Sequence, residues 1–192
     1  MEKIYDINAT FYGVRGSIPT PGKEYLYFGG NTSCVEVRCG KTILILDAGT
    51  GIKDLGLKLA KEYGHKKFEV HLLLSHSHWD HIQGFPFFTP IYMKNAHIHI
   101  YGGHFYSSVQ ELLEYQMHKE FFPLHLKDLM AKIYFHDVID NQFVINDIPI
   151  YYKHLMHPSL SIGFRIQYKN KTLVYATDNE LVSEKEIPCF WL

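Results

Sequence analysis

His76-Ser77-His78-Trp79-Asp80-His81 places three imidazoles and one carboxylate within six residues, immediately after the apolar run Phe68–Leu74 and Ser75. Functional loops gather where a rigid strand stops. This donor set suits zinc, iron or manganese. His76 and His78, two apart in extended backbone, project to the same side. Asp80 and His81 follow as the chain turns, within reach of a second ion beside the first. Paired hydrolytic ions sit roughly 3.5–4 Å apart with a shared hydroxide as nucleophile. A merely histidine-rich surface loop would need neither the aspartate nor the strand-end position. The chain holds 13 histidines, and most must be ordinary. His71, His97, His99 and His154 read as surface or core residues of strands.

Working outward, Asn8–Tyr12 reads as a strand, followed by the Gly/Pro-punctuated loop Gly13–Gly22. Ser33–Arg38 and Thr42–Leu46 are β-branched apolar runs joined by Cys39-Gly40-Lys41, a hairpin pattern. Gly49-Thr50-Gly51 opens a helix with Ile52, Leu55, Leu59 and Tyr63 on one face and Gly64 as its stop. Ala96–Tyr101 is a further strand. Residues 101–132 form a helical insertion, with helices expected over Ser107–His118 and near Leu124–Ala131. Beyond it, Gln142–Ile145, Ile148–His154, Ile162–Tyr168 and Thr172–Ala176 read as strands, the last two flanking a Lys169-Asn170-Lys171 turn. Two strand-rich blocks with helices between them imply α/β layers.

At 192 residues, 46% hydrophobic and 20% charged, the composition is that of one globular domain spanning 1–192. Nineteen basic residues against 20 acidic ones, for a formal charge of -1, give no field that gathers nucleic acid or an anionic membrane. No signal peptide or membrane-length apolar run is present, so the expected location is the cytoplasm. Cys34, Cys39 and Cys189 read as reduced thiols, and Cys34 and Cys39, five apart on one strand, should point to opposite faces.

His76–His81 has the His-x-His-x-Asp-His form of the metallo-β-lactamase superfamily. The resemblance extends through Gly13-Val14-Arg15-Gly16-Ser17-Ile18-Pro19, Gly29-Gly30-Asn31-Thr32-Ser33, Leu46-Asp47-Ala48-Gly49-Thr50-Gly51 and Tyr175-Ala176-Thr177-Asp178. These stretches are similar to the phosphodiesterase-type branch that includes ribonuclease Z-like nucleases and cyclic-nucleotide phosphodiesterases. The resemblance implies an αββα sandwich and a centre for two divalent ions, zinc first, with manganese or iron as alternatives. It assigns His76, His78 and His157 to the first ion, Asp80 and His81 to the second, and Asp178 as the carboxylate bridging both. Asp80 and Asp178 are thereby the catalytic carboxylates, and Asp47 supports the ligands from behind.

The sequence departs from that branch twice. After His157 it reads Pro158-Ser159-Leu160-Ser161 in place of a glycine-rich step. It also stops 14 residues after Asp178, with no histidine among them, where the branch supplies one more ligand. The expectation is a sandwich lacking its C-terminal part, with a complete first metal site and an under-ligated second one. The apolar ending Ile187–Leu192 suggests an edge covered by a second subunit, as in a homodimer.

The leading expectation is hydrolysis of a small-molecule or nucleotide phosphodiester, on cyclic nucleotides for instance, with the metals polarising the phosphoryl oxygen and acidifying water. Arg15, Ser17 and Asn31 are candidate contacts for the anionic group, although the glycines around them fit tight-turn geometry alone. No residue stands out as general acid. Hydrolysis of a carboxylic ester, lactone or thioester on the same centre is the alternative within enzymes, and a metal-binding protein without turnover the alternative outside them. The aromatics of the insertion, Tyr106, Tyr115, Phe121 and Phe122, fit either a lid or a packed helical excursion.

Overall fold

The computed structural model describes residues 6–103 and 107–180. Six strands form the first sheet in sequence order: β1 (Ile7–Gly13), β2 (Cys34–Cys39), β3 (Thr42–Leu46), β4 (Phe68–Leu74), β5 (Ala96–Gly103) and β6 (Lys132–Val138). β1, β2 and β3 pair antiparallel, and β3 through β6 pair parallel. The second sheet is an antiparallel meander of β7 (Gln142–Ile145), β8 (Ile148–Leu155), β9 (Ser161–Tyr168) and β10 (Lys171–Tyr175).

Two cores explain why β3 and β4 are nearly continuous apolar runs: a strand covered on both faces has no polar side. On the outer face, Ile43, Ile45, Val70, Leu72, Leu74, Ile98 and Ile100 pack under α1 (Ile52–Tyr63) and α3 (Val109–Gln116). On the inner face, Leu44, Leu46 and Leu73 meet Ile150, Ile162, Phe164 and Ile166 of the second sheet. Among the described residues this gives three layers: helices, six strands, four strands. Cys34 lies in the outer core and Cys39 in the inner one, opposite faces as their spacing requires.

α1 has the expected bounds, burying Ile52, Leu55 and Leu59 and ending where Gly64 turns to φ 53°. α3 begins at Ser108, whose hydroxyl accepts from the Glu111 amide in a reciprocal cap, and is shorter than the Ser107–His118 expected. The second expected helix, Leu124–Ala131, is only a single 3-10 turn at Leu126–Asp128. β6 was not foreseen at all. Its sequence, Lys132-Ile133-Tyr134-Phe135-His136-Asp137-Val138, mixes charge with apolar residues on both faces, and its register comes from β5 rather than from its own alternation. No helix of the described residues is long and apolar enough to cross a membrane.

Candidate metal centre

Chain geometry at the ends of β3 and β4 builds the site. After β3 the chain turns at Asp47, φ 62°, and after β4 it runs through Ser75 into the short helix α2 (Trp79–Ile82). The two turns are laced together by Ala48 N to His81 O at 2.7 Å and Gly84 N to Ala48 O at 2.8 Å. Gly49 is required for that approach, because a Cβ there would lie 2.3 Å from the Asp80 carbonyl oxygen. The second sheet joins through Ile162 N to Ser75 O at 2.9 Å. The loop after β10 is tied to the one after β8 by Glu180 N to Met156 O at 2.7 Å and Met156 N to the Asn179 side chain at 3.1 Å.

These connections bring together every residue that the sequence singled out as a ligand. His76, His78, His157 and Asp178 each offer one ligand atom, all within 4.8 Å of one another; Asp80, His81 and Asp178 do the same. The His76 and His157 ring centroids are 5.1 Å apart. Asp178 Oδ2 is common to both groups, 3.5 Å from His76 Nε2, 3.4 Å from His81 Nε2 and 3.9 Å from His157 Nε2. The Thr177 hydroxyl donates to its other oxygen at 2.9 Å, so Oδ2 is the one turned to the imidazoles. His71, His97, His99 and His154 belong to neither group.

Three observations show that the donor set fits a metal. His76 Nε2 and His81 Nε2 are buried with no hydrogen-bond partner among the described residues. Their 3.4–3.5 Å separations from carboxylate oxygens exceed the roughly 2.7–2.9 Å of a charge-assisted hydrogen bond. His78 Nδ1 and His157 Nε2 lie 3.2 Å apart, close to the edge of about 3.3 Å expected for two nitrogens at 2.0–2.1 Å on a tetrahedral ion.

Protonation differs sharply between neighbours. Burial, reinforced by His81, holds His76 down at about 4, so it is neutral with a lone pair to give. His81 feels burial in the same direction, but the Asp47 hydrogen bond and the charges of Asp47, Asp178 and Asp80 outweigh it and raise it to about 9. The carboxylates that retain this proton would equally attract a cation. Burial works upward on Asp178, yet His81, the Thr177 hydroxyl and His76 more than offset it, and its pKa is lowered.

Asp47 is fully buried and accepts four hydrogen bonds: from Ser75 N at 2.7 Å, the Ser75 hydroxyl at 2.8 Å, His81 Nδ1 at 2.7 Å and the Tyr175 hydroxyl at 2.7 Å. It therefore fixes the His81 tautomer with Nε2 facing the other carboxylates, and links both sheets. Tyr175 and Ser75 were not singled out from the sequence, since nothing in their spacing names a partner.

The candidate substrate residues occupy the loop after β1. Ser17 sits at φ 68° and its backbone amide donates to Asp80 Oδ2 at 2.7 Å, a role invisible in side-chain identity. Arg15 donates Nε to the Ile18 carbonyl at 3.0 Å and lies 4.6 Å over the Tyr25 ring, beside a cavity of about 450 Å³. The Asn31 side chain is engaged within the fold, donating to Asp54 at 3.2 Å and accepting from the Thr50 hydroxyl at 3.2 Å. Tyr106 lies outside the described residues.

Comparison with known proteins agrees with this geometry. The metallo-beta-lactamase fold protein YhfI from Bacillus subtilis superposes with a TM-score of 0.66 at 20% identity, covering 95% of this chain and 66% of that one. Human tRNase Z, short form, gives 0.60 at 18% identity, covering 86% and 67%. A diphosphatase from the PhnP family gives 0.58 at 15% identity, covering 83% and 62%. The chain thus spans about two thirds of the length of these structures. No curated protein matches it. The model of the beta-lactamase superfamily domain matches residues 42–188, from β3 through the whole histidine–aspartate cluster. On that match and this fold, the chain belongs to the metallo-β-lactamase superfamily.

Proposed function

We propose that the protein is a metal-dependent hydrolase of phosphodiesters. The observation that carries the reading is the pair of donor groups sharing Asp178 Oδ2, one with four donors and one with three among the described residues. His76, His78, His157 and Asp178 would hold one divalent ion, and Asp80, His81 and Asp178 a second. Zinc suits the histidine-rich first group, with manganese or iron as alternatives. Bound there, such ions supply Lewis-acid polarisation and lower the pKa of water to about 7.

The chain's own residues do the rest. Asp47 holds His81 in the tautomer that presents Nε2, and the Ser17 amide holds Asp80 through Oδ2. Arg15 spends Nε within its loop and lays its guanidinium over the Tyr25 ring, and its terminal nitrogens have no hydrogen-bond acceptor among the described residues. They are suited to a phosphoryl oxygen, because guanidinium pairs with phosphate in a forked geometry. Two of the similar structures are named as a tRNase and a diphosphatase, which favours phosphoryl over acyl substrates. Location in the cytoplasm and pairing of two copies belong to this reading as well.

The test is hydrolysis of bis-p-nitrophenyl phosphate by the metal-loaded chain, alongside a p-nitrophenyl carboxylic ester and a thioester. Phosphodiester turnover that is lost on chelation and in His78→Ala supports the reading. Metal binding with ester or thioester turnover alone, or with none, refutes it.

A further inference from the structure

A cavity of about 360 Å³ adjoins the metal loop and takes part of its wall from it. Ser77 and Trp79 alternate with the proposed ligands His76, His78 and Asp80; Ile82 comes from α2, and Leu112, Tyr115 and Gln116 from α3, with Phe121 beyond. Its lining holds no charged side chain, so the cavity suits an uncharged part of a ligand. Trp79, Tyr115 and Phe121 are 63%, 71% and 59% exposed, an unusual concentration of open aromatic rings. Tyr115 and Phe121 pack edge to face at 5.9 Å, which holds two of the three in place.

The polar groups on the wall say what kind of ligand fits. Gln116 is buried; its Nε2 donates to the Ile82 carbonyl at 2.8 Å, which fixes the amide orientation, while its Oε1 has no donor among the described residues. An alkyl chain would leave Oε1 and the Ser77 hydroxyl unpaired in an apolar setting, which is costly. A planar ring with an N–H on its edge meets both demands. We infer that this cavity is a base-binding subsite: the nucleobase of a nucleotide phosphodiester stacks on Trp79 beside the Tyr115–Phe121 pair and offers an amino group toward Gln116. The inference rests on the phosphodiester reading and narrows it to nucleotide substrates.

The chain has two tryptophans, and Trp191 lies outside the described residues. In a Trp191→Phe background Trp79 is therefore the single tryptophan, and with excitation selective for indole over the tyrosines stacking reports itself as quenching without turnover. Adenosine and adenosine 5′-monophosphate should both quench, whereas ribose 5-phosphate and hexanoate should not. Tyr115→Ala and Phe121→Ala should each weaken adenosine binding by roughly 5- to 150-fold, the range of one stacking contact. Equal quenching by ribose 5-phosphate, quenching by hexanoate in place of adenosine, or adenosine affinity unchanged in both variants overturns the inference. Hydrolysis of bis-p-nitrophenyl phosphate without adenosine binding overturns the inference alone. Adenosine binding at Trp79 without hydrolysis of any phosphodiester instead supports the subsite and refutes the phosphodiester reading.

Discussion

Replacing Asp47 by Asn isolates what its carboxylate does, because Asn tolerates the left-handed backbone found there, φ 62°. The change removes one charge and turns one acceptor into a donor. On the Oδ1 side the new amide would face the Ser75 N–H; on the Oδ2 side it would face the Ser75 hydroxyl, the Tyr175 hydroxyl and His81 Nδ1. Hydrogen bonds to a charged partner contribute about 1.5–3 kcal/mol each, against about 1 for neutral ones, and a buried donor left facing a donor costs about 1–3. Hydroxyl rotation relieves part of this, so the net loss should be about 3–5 kcal/mol. For a chain of this size that lowers Tm by roughly 6–20 °C.

The same substitution should reach the metal. Where the amide nitrogen takes the Oδ2 side, His81 can satisfy it at Nδ1 only by moving its proton to Nε2, the atom turned toward Asp80 and Asp178, and on either side the charge that attracted the ligand's proton is gone. Loss of such an orienting partner weakens metal binding by about 10- to 100-fold. Thermal unfolding of the metal-free chain and zinc titration against a chromophoric chelator measure the two effects separately. Tyr175→Phe removes a single donor to that carboxylate and should cost only about 1.5–3 kcal/mol, with zinc affinity nearly kept. If Asp47→Asn leaves Tm within about 2 °C and zinc affinity within about twofold, Asp47 does not act as argued.

Three further expectations can be checked. His78→Ala should abolish zinc binding at the four-donor group and with it hydrolysis, while His97→Ala, outside both groups, should leave metal content and activity near wild type; equal losses in the two would overturn the assignment. With four donors in one group and three in the other among the described residues, the protein should retain one ion after dialysis and take a second only with excess Zn²⁺ or Mn²⁺, turnover rising in parallel; two ions retained and a rate indifferent to added metal would contradict this. Burial, outweighing Glu69, holds His71 at about 4 in the fold against 6.5 when unfolded, so stability should be constant from His71 above pH 6.5 and fall as pH drops from about 6.5 toward 4, where only the unfolded chain takes the proton. The wild-type minus His71→Gln difference in denaturant midpoint should show that slope, and a flat difference over the interval would refute it.

Much of this fold was legible because its strands answer to local pattern. Thr42–Leu46, Phe68–Leu74 and Gln142–Ile145 have the expected bounds, and α1 follows the spacing of Ile52, Leu55 and Leu59. β6 and the 3-10 turn at Leu126–Asp128 were misread because their conformation is imposed from outside, by β5 in one case and by the chain's return to the sheet in the other. The site divides along the same line. His76, His78, Asp80 and His81 announce themselves by spacing on one segment. His157 and Asp178 lie 76 and more residues away, and only resemblance to a family connected them to the loop before the second sheet was seen to fold back on it.

What neither spacing nor resemblance displayed is the backbone device that holds the centre. Among the described residues six non-glycine positions have positive φ, and three of them, Ser17, Asp47 and Asp178, belong to or touch the ligand cluster while Asn146, Asp147 and Lys169 turn hairpins. Each of the first three lies in a loop after a strand and re-aims one group: the Ser17 amide onto Asp80, the Asp47 carboxylate onto His81, and Asp178 Oδ2 between three imidazoles. A left-handed residue costs roughly 1–3 kcal/mol unless its surroundings compel it, and such residues cluster at functional sites. For Ser17 the compelling contact is the hydrogen bond to Asp80, since its hydroxyl gives it no special tolerance of φ 68° and glycine would adopt that angle freely. The loop from Gly13 to Gly22 is held by backbone bonds to Gly30 and Asn31, and the Ser17 amide ties it to Asp80, a pairing that no side-chain pattern within the loop displays.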